Sequence, residues 1–358
     1  MTTNRKNTEI DIRIADAQDA PHRIAASPNN GQKSAVLCTN STVITAAVLL
    51  VIGLVIFDIS MEMHILSSRL GGFLMNNGTL EAPTCSPATV NVSSIEYHSG
   101  HRYYTLLRDI GTLPPPIFGD NHSLLCNDSA RDNHAYSYCL PISGRKDTSF
   151  CTAADRMDLV ALPSRENRCY ASVLHMLLVE VYEELQALGK SPFIVFGTLL
   201  GAIRDASMIP FTEDSDVGYT GNLATDDELH RALWDKGYHF FLYDIWRVCV
   251  APSHPLAASL YDPDLPITAS YSVPYLDLYA MEQLNDTTWN LEGMKKVNGN
   301  RMMLPDDKVK PFAQVTINGV PFDTVHDPKY FLLEMYGDDY MTPKPRRALS
   351  SHGAMKPE

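Results

Sequence analysis

Positive charge is scarce in this chain, and the shortage limits what the protein can bind. The 358 residues include 29 lysines and arginines against 42 aspartates and glutamates, which gives a formal net charge of −13 at pH 7. A protein that binds nucleic acid needs a basic surface to meet the phosphate backbone. The composition therefore argues against a nucleic acid as a partner.

Closely spaced cysteines are also missing. None of the 7 cysteines forms the Cys-x₂₋₄-Cys pair that structural zinc sites generally use. Six cysteines follow residue 57, namely Cys85, Cys126, Cys139, Cys151, Cys169 and Cys249. This even set permits three disulfides, which we favour, although spacing does not give their connectivity. A zinc site is the alternative for four of them, Cys126, Cys139, Cys151 and Cys169.

One long segment contains no charge. From Ser34 to Phe57 no residue is charged, and as a helix this segment would be about 36 Å long, enough to cross a bilayer. No Ala-x-Ala cleavage site follows before Asp58, which favours a retained signal-anchor over a cleaved signal. Lysines and arginines precede the segment more often than they closely follow it, so we predict a cytosolic N-terminus and a lumenal remainder.

Acceptor sequons for N-linked glycans agree with this topology. They lie at Asn77, Asn91, Asn121, Asn127 and Asn285, all beyond the uncharged segment. Glycans are attached to such sequences in secreted proteins, and cysteines oxidise in the same compartments. We therefore predict a single-pass type II glycoprotein of the Golgi or endoplasmic reticulum membrane, with the residues beyond the uncharged segment in the lumen.

The stretch that carries most chemical information begins at Phe193. Residues Phe193–Phe196 form a short apolar run that suits a buried strand. Gly197 and Thr198 then predict a turn into a helix-like stretch, Leu199–Arg204. This arrangement places backbone N–H groups at a helix N-terminus, where phosphate binds.

Two acids follow on a second strand-like run. Asp214 and Asp216 are one residue apart, so strand alternation points both carboxylates to one face. Such a pair can hold Mg²⁺ against a substrate phosphate. The spacing alone is weak evidence, because Asp262-Pro-Asp264 repeats it in this chain. The order of strand, glycine turn, arginine and acids is what supports the prediction.

This order resembles the LicD and fukutin family of phospho-transferases. The matching segments are Gly197-Thr198-Leu199-Leu200-Gly201, Arg204, Ile209-Pro210-Phe211, Asp214-Ser215-Asp216 and, downstream, Tyr275-Leu276-Asp277-Leu278-Tyr279. The resemblance covers about residues 191–347, roughly half of the chain. Glu213 and Ser215 depart from the usual family residues, whereas both aspartates of the pair are kept.

The resemblance implies an α+β fold with a nucleotidyltransferase-like mixed sheet and flanking helices. The hydrophobic pattern agrees, because helical and strand periods alternate. The predicted elements are an amphipathic helix over Glu166–Leu188, a helix over Thr225–Lys236 that starts with a Thr-x-x-Glu capping box, and strands over Tyr238–Ala251 and Val273–Met281. On the first helix, His175 and Glu180 are expected at the surface or at its boundary.

Together these features divide the chain into five parts. They are a cytosolic tail (1–33), a transmembrane signal-anchor (34–57), a lumenal stem (58–162), the LicD/fukutin-like catalytic domain (163–347) and a C-terminal tail (348–358). The stem is rich in aromatic residues and cysteines. We therefore expect folded elements in it that brace the catalytic domain, or a surface for self-association or acceptor binding.

The resemblance also implies the reaction. Family members transfer a phospho-alcohol from a cytidine-diphosphate-activated donor to a glycan hydroxyl, and CMP leaves. The implied catalytic and metal-binding residues are Asp214, Asp216 and Asp277, with Mg²⁺ or Mn²⁺ as the cofactor. The implied donor-binding residues are Gly197, Thr198 and Arg204. Asp277 either completes the metal ligands or accepts the acceptor's proton, and a purely structural Arg204 is the alternative.

The expected donor carries ribitol phosphate or phosphocholine, and the expected acceptor is a glycan of a glycoprotein or glycolipid. Other expected partners are the membrane, through residues 34–57, and a second copy of the chain or other glycan-modifying enzymes. Two alternatives remain, a nucleotide-sugar glycosyltransferase with an Asp-x-Asp metal site and a non-catalytic scaffold. The phosphate-type turn before the acids argues against the first, and the three kept acids argue against the second.

Overall fold

A computed structural model describes residues 84–161, 164–225, 227–267, 274–294, 296–297, 300–301 and 303–343. The predicted cytosolic tail, signal-anchor and C-terminal tail lie outside the described residues, as does the sequon at Asn77. Within the described ranges, none of the helices combines the length and the apolar character that a membrane crossing requires.

Strands and helices alternate along the described chain. The strands are β1 (Phe193–Ile194), β2 (Asp214–Thr220), β3 (Tyr238–Tyr243), β4 (Ile245–Val250), β5 (Tyr275–Asn285), β6 (Thr288–Leu291), β7 (Lys296–Val297), β8 (Asn300–Arg301), β9 (Leu304–Pro305), β10 (Ala313–Ile317) and β11 (Val320–Thr324). The α-helices are α1 (Arg102–Ile110), α2 (Asp128–Asp132), α3 (Thr148–Cys151), α4 (Met157–Val160), α5 (Tyr170–Ala187), α6 (Phe196–Asp205), α7 (Glu228–Trp234), α8 (Ala257–Leu260), α9 (Asp306–Val309) and α10 (Pro328–Tyr336). Short 3₁₀ helices cover Val92–Ser94, Asp120–Cys126, Tyr136–Tyr138 and Arg165–Asn167.

A mixed sheet organises these elements, as predicted for an α+β fold. Its strand order is β1-β2-β5-β4-β3, with β6 paired to the end of β5 and β9 paired to β6. The β2–β5 pair is parallel, whereas β1–β2, β4–β5 and β3–β4 are antiparallel. Hairpins β7–β8 and β10–β11 are separate two-stranded sheets. The parallel pair lies in the middle of this arrangement and carries the aspartates.

Helix α5 packs against β2, β4 and β5 and is buried on almost its whole surface. The expectation that His175 and Glu180 lie at the surface is wrong, since their side chains are 0% and 1% exposed. The helix is also shorter than predicted, because it begins at Tyr170. The 84–161 segment covers the face that the sequence pattern assigns to solvent: the hydroxyl of Tyr104 donates to Glu183, and the backbone N–H of Arg156 donates to Nδ1 of His175.

A buried group of charges lies on that covered face. The Lys236 ammonium is 2.5 Å from a carboxylate oxygen of Glu184 and 3.5 Å from one of Glu180. Burial raises the pKa of Glu180 to about 7, and the charge of Lys236 acts against this rise. His98, from the segment predicted as stem, contacts the other oxygen of Glu184 at 3.1 Å. This charged group therefore joins that segment to α5.

Two predicted elements differ from those observed. The single strand predicted over Tyr238–Ala251 is the antiparallel pair β3–β4, which turns at Asp244 with a φ of 61°. No glycine or proline marks this turn, so the sequence gives no signal for it. Helix α7 starts after Asp227, whose side chain accepts the N–H of His230. The predicted capping box at Thr225 therefore begins the helix three residues too early.

Three disulfides tie the 84–161 segment together and to the rest. They are Cys85–Cys126, Cys139–Cys249 and Cys151–Cys169. The four cysteines considered for zinc are thus divided among three bonds and do not form one ligand group. The second bond reaches β4, and the third reaches the residue before α5. Residues on both sides of the predicted boundary at 162–163 also share one hydrophobic core.

The described sequon asparagines lie where a glycan could be added. Asn91, Asn121, Asn127 and Asn285 are all exposed. The side chains of three of them accept backbone N–H groups two residues on, as at Asn285 with Thr287.

Replacing Lys236 by methionine tests the buried charges. We expect Lys236→Met to lower the free energy of unfolding by about 3–5 kcal/mol, because it leaves buried carboxylates without their partner. Urea unfolding measures the change. Lys190→Met is the matched control, since the Lys190 ammonium bonds a backbone carbonyl at an exposed position. A small loss, equal in both variants, would contradict the pairing.

Candidate active site

Parallel pairing of β2 and β5 brings the three predicted aspartates together. In this register Asp216 lies opposite Asp277, and Asp214 lies opposite Tyr275. Asp214 and Asp216 share a face because side chains alternate along a strand. One carboxylate oxygen from each of the three aspartates lies within 4.8 Å of the other two. We call these residues the acidic group.

The N-terminus of α6 points at Asp216. The backbone N–H of Thr198 donates to Oδ2 of Asp216 at 3.2 Å, and the Thr198 hydroxyl accepts the backbone N–H of Asp216 at 2.7 Å. A helix N-terminus carries a partial positive charge that stabilises a carboxylate. The structure therefore places Thr198 against the carboxylate of the acidic group.

Gly197 lies beside the same carboxylate. A Cβ atom built on it would lie 3.2 Å from Oδ2 of Asp216, so a larger residue would push against this oxygen. The predicted turn at Gly197 and Thr198 is instead the first turn of α6, which begins at Phe196 with a φ of 44°. Phe196 takes the left-handed conformation, and the helix begins there, three residues before the predicted start at Leu199.

Asp277 is held by two side chains. Nε of Arg247 donates to its Oδ1 at 2.5 Å, since β4 places Arg247 opposite Asp277. The hydroxyl of Tyr279 lies 3.1 Å from Oδ2 of Asp277 and 3.3 Å from Oδ1 of Asp216. Arg247 thus supplies positive charge to one side of the acidic group, while Tyr279 joins two of its carboxylates.

Asp214 is the most accessible of the three aspartates. It is half-buried, whereas Asp216 and Asp277 are 5% and 4% exposed. The hydroxyl of Thr212 donates to its Oδ1 at 2.9 Å. Glu213, in contrast, forms an ion pair with Lys146 at 3.2 Å, away from the shared face, as strand alternation predicts.

The acidic group carries more negative charge than its surroundings balance. Burial raises the pKa of Asp216 well above its ordinary value, and the charges of Asp214 and Asp277 raise it further. Burial also raises the pKa of Asp277 to about 6, although the Arg247 guanidinium acts in the opposite direction. Close carboxylates in a site of low dielectric resist being ionised together.

These donors fit a hard divalent cation. Mg²⁺ and Mn²⁺ prefer carboxylate oxygens, and three such oxygens converge here within 4.8 Å. A cation would also balance the negative charge of three close carboxylates, whose ionisation together burial disfavours. The residues that would hold it are Asp214, Asp216 and Asp277.

Arg204 points elsewhere than the acidic group. Its Nε donates to the backbone carbonyl of Tyr340 at 2.7 Å, and its Nη2 contacts the same carbonyl and that of Thr342. Within the described ranges no carboxylate lies at ion-pair distance from Arg204. The side chain therefore fastens the segment that follows α10 to α6.

The second Asp-x-Asp of the sequence lies outside the acidic group. Asp262 and Asp264 both pair with Arg165, at 2.6 and 3.2 Å. Their spacing is that of Asp214 and Asp216, but they lie on a loop after α8 instead of on a strand. Equal spacing therefore does not produce an equal site.

Sequence reasoning missed Arg247, Tyr279 and Thr212. Tyr279 could have been found, because it follows Asp277 by two residues on one strand and so shares its face. Thr212 is two residues before Asp214 and offered only a weak signal. Arg247 meets Asp277 through the register of β4 with β5, which no local pattern specifies.

Comparison with known families agrees with this geometry. Residues 190–324 match the family model described as LicD/FKTN/FKRP, nucleotidyltransferase domain. The match begins just before β1 and ends at the last residue of β11, so it includes all three aspartates of the acidic group. No curated protein matches the chain.

Cation binding should depend on pH. The pKa of Asp277 is about 6 in the folded protein and 3.8 ordinarily, so folding takes up a proton between these values. Stability of the cation-free protein should therefore fall as the pH rises through this window. A cation replaces the proton, so Mg²⁺ at about 100 times its dissociation constant should stabilise by about 2–3 kcal/mol at pH 7 and by clearly less at pH 5. Thermal unfolding measures both.

Variants of the two Asp-x-Asp pairs provide the control for this effect. Asp216→Asn should abolish the Mg²⁺-dependent rise in Tm without lowering the Tm of the cation-free protein, because Asn keeps an acceptor for Thr198. Asp264→Asn, at an exposed position, should keep the full rise. An unchanged response of Asp216→Asn to Mg²⁺ would place the cation elsewhere.

A substitution at Arg204 separates its two predicted roles. Arg204→Ala should lower the free energy of unfolding by about 1–3 kcal/mol and speed backbone hydrogen exchange over residues 336–343, because their carbonyl contacts are lost. Arg204→Lys keeps the charge and should give a smaller change. Unaltered exchange together with weaker binding of inorganic pyrophosphate would show instead that Arg204 contacts phosphate.

Proposed function

Through residues 190–324 the chain belongs to the LicD/fukutin family of transferases, and we propose that it moves a phospho-alcohol from a CDP-activated donor to a glycan. Ribitol phosphate and phosphocholine are the two candidate groups. The observation that supports this proposal most directly is the acidic group at the N-terminus of α6, where three carboxylate oxygens lie within 4.8 Å.

In this proposal the diphosphate of the donor binds in front of the acidic group. The first turn of α6 and the carboxylates of β2 lie side by side, linked by the Thr198–Asp216 hydrogen bonds. When bound, Mg²⁺ supplies charge neutralisation for the donor phosphates and the leaving CMP. Asp214, Asp216 and Asp277 would hold the cation, and Gly197 leaves room beside it because no side chain projects there.

In the proposed transfer, an oxygen of the acceptor hydroxyl attacks the phosphorus that bears the alcohol. The bond between this phosphorus and the oxygen that bridges the two phosphates breaks, and CMP leaves with the electron pair. Asp277 has one of two roles in this step: it completes the ligands of the cation, or it accepts the proton of the acceptor hydroxyl. Arg247 and Tyr279 position Asp277 by binding its two oxygens.

The membrane topology and the compartment are also part of the proposal. We propose that residues 34–57 anchor the chain in the Golgi or endoplasmic reticulum membrane and that the described residues face the lumen. The exposed sequon asparagines and the three disulfides support an oxidising compartment in which glycans are built. There the acceptor glycan would be available on glycoproteins or glycolipids.

A donor screen tests the proposed reaction. The full chain is incubated with Mg²⁺, a mixture of glycan acceptors and, separately, CDP-ribitol, CDP-choline, CDP-glycerol or UDP-sugars, and the released nucleotide is measured. We expect CMP from one of the CDP-alcohols. Release of UDP without CMP would replace the proposal with a nucleotide-sugar glycosyltransferase.

The same assay tests the residues. Asp216→Asn should reduce turnover at least about 100-fold, because charge neutralisation in the transition state is lost, while the variant stays folded. Asp264→Asn should keep the wild-type rate. Full activity of Asp216→Asn would show that the acidic group is not where transfer occurs.

A further inference from the structure

A small aromatic cavity opens next to the acidic group. It measures about 200 Å³ and is lined by Leu200, Arg204, Ile209, Phe211, Tyr336 and Tyr340. These residues come from α6, from the loop that leads into β2 and from the end of α10 with its following segment. We call it the aromatic cavity. Three of its six lining residues carry aromatic rings, and two others are aliphatic.

The two tyrosine rings of the aromatic cavity are accessible. Tyr336 is 37% exposed, and Tyr340 is half-buried. Phe196, in contrast, packs its ring on that of Tyr279 at 4.7 Å. In the part of the chain that the structure describes, neither Tyr336 nor Tyr340 stacks on another ring. Their faces can therefore receive a ligand.

The aromatic cavity adjoins the acidic group along two routes. Phe211 precedes Thr212, whose hydroxyl bonds Asp214. Helix α6 connects the Thr198 contact with Asp216 to Leu200 and Arg204 within two turns. Burial of the Tyr336 hydroxyl, at the end of the partly exposed ring, and the charges of Asp216 and Asp214 raise the pKa of this hydroxyl, which agrees with this proximity.

The shape of the aromatic cavity depends on Arg204. The guanidinium binds the backbone carbonyls of Tyr340 and Thr342 and so fastens the backbone that carries Tyr340 to α6. Because these contacts are to neutral carbonyls, the positive charge of Arg204 is not cancelled. One wall of the cavity therefore favours a ligand with oxygen acceptors or nearby negative charge.

We propose that the aromatic cavity binds the base of the nucleotide donor, with Tyr336 and Tyr340 as the stacking residues. A nucleobase is planar, carries oxygen and nitrogen acceptors and stacks on aromatic side chains. With the base in this cavity, the diphosphate extends toward the first turn of α6 and the acidic group. The inference rests on the proposed function, since it requires a nucleotide donor.

Binding measurements with and without a base test this inference. The probes are CDP and inorganic pyrophosphate, each titrated calorimetrically with Mg²⁺ into the full chain. Tyr336→Ala and Tyr340→Ala should weaken CDP binding about tenfold, the size expected for one lost stacking contact. Pyrophosphate binding should stay within about twofold of the wild type, because it has no base to stack.

A control variant and a direct readout complete the experiment. Leu333→Ala changes an exposed side chain of the same helix outside the aromatic cavity and should leave both affinities unchanged. Saturation-transfer NMR should show strong transfer from the protein to the base protons of CDP in the wild type and weak transfer in Tyr336→Ala. Tyr340→Ala carries the same test if Tyr336→Ala does not fold.

The outcomes separate this inference from the proposed function. Equal CDP affinity in the wild type, Tyr336→Ala and Tyr340→Ala would overturn the location of the base and leave the nucleotide donor in place. Parallel loss of pyrophosphate and CDP binding in the tyrosine variants would also overturn it, since the damage would then reach the acidic group. A wild-type chain that binds no CDP would overturn both proposals.

Discussion

Parallel pairing of β2 with β5 is the constraint on which the rest of the structure depends. It sets Asp216 opposite Asp277 and so concentrates negative charge at one place on the sheet. Three neighbouring residues donate hydrogen bonds to these carboxylates. Thr198 offers a helix N-terminus, Arg247 offers a guanidinium, and Tyr279 offers a hydroxyl. The site is therefore organised around repulsion that the fold does not fully relieve.

Incomplete relief of this repulsion matters for the cation that we propose at this site. If the protein balanced the acidic group by itself, a cation would gain little by binding there. The surrounding core, with α5 buried between the sheet and the 84–161 segment, holds the carboxylates together despite their charge. Packing in the core around α5 thus stabilises the fold, whereas the uncompensated charge lies in the acidic group.

The sequence predicted the features of the site that depend on neighbouring residues, and it missed those that depend on contacts between distant segments. The face shared by Asp214 and Asp216 follows from strand alternation, a local rule. The resemblance supplied Asp277. Arg247 and the target of Arg204 depend on pairing between distant segments, which local patterns do not encode. The burial of His175 and Glu180 could not be predicted either, because the predicted stem that covers them was treated as separate from the catalytic domain.

The bond between Cys139 and Cys249 links the charge balance of the acidic group to a covalent connection. Cys249 is two residues from Arg247 on β4, opposite Tyr275. A slip of β4 by a single residue would turn Arg247 to the other face of the sheet and remove the counter-charge of Asp277. Because the bond ties Cys249 to the 84–161 segment, such a slip would also have to displace that segment.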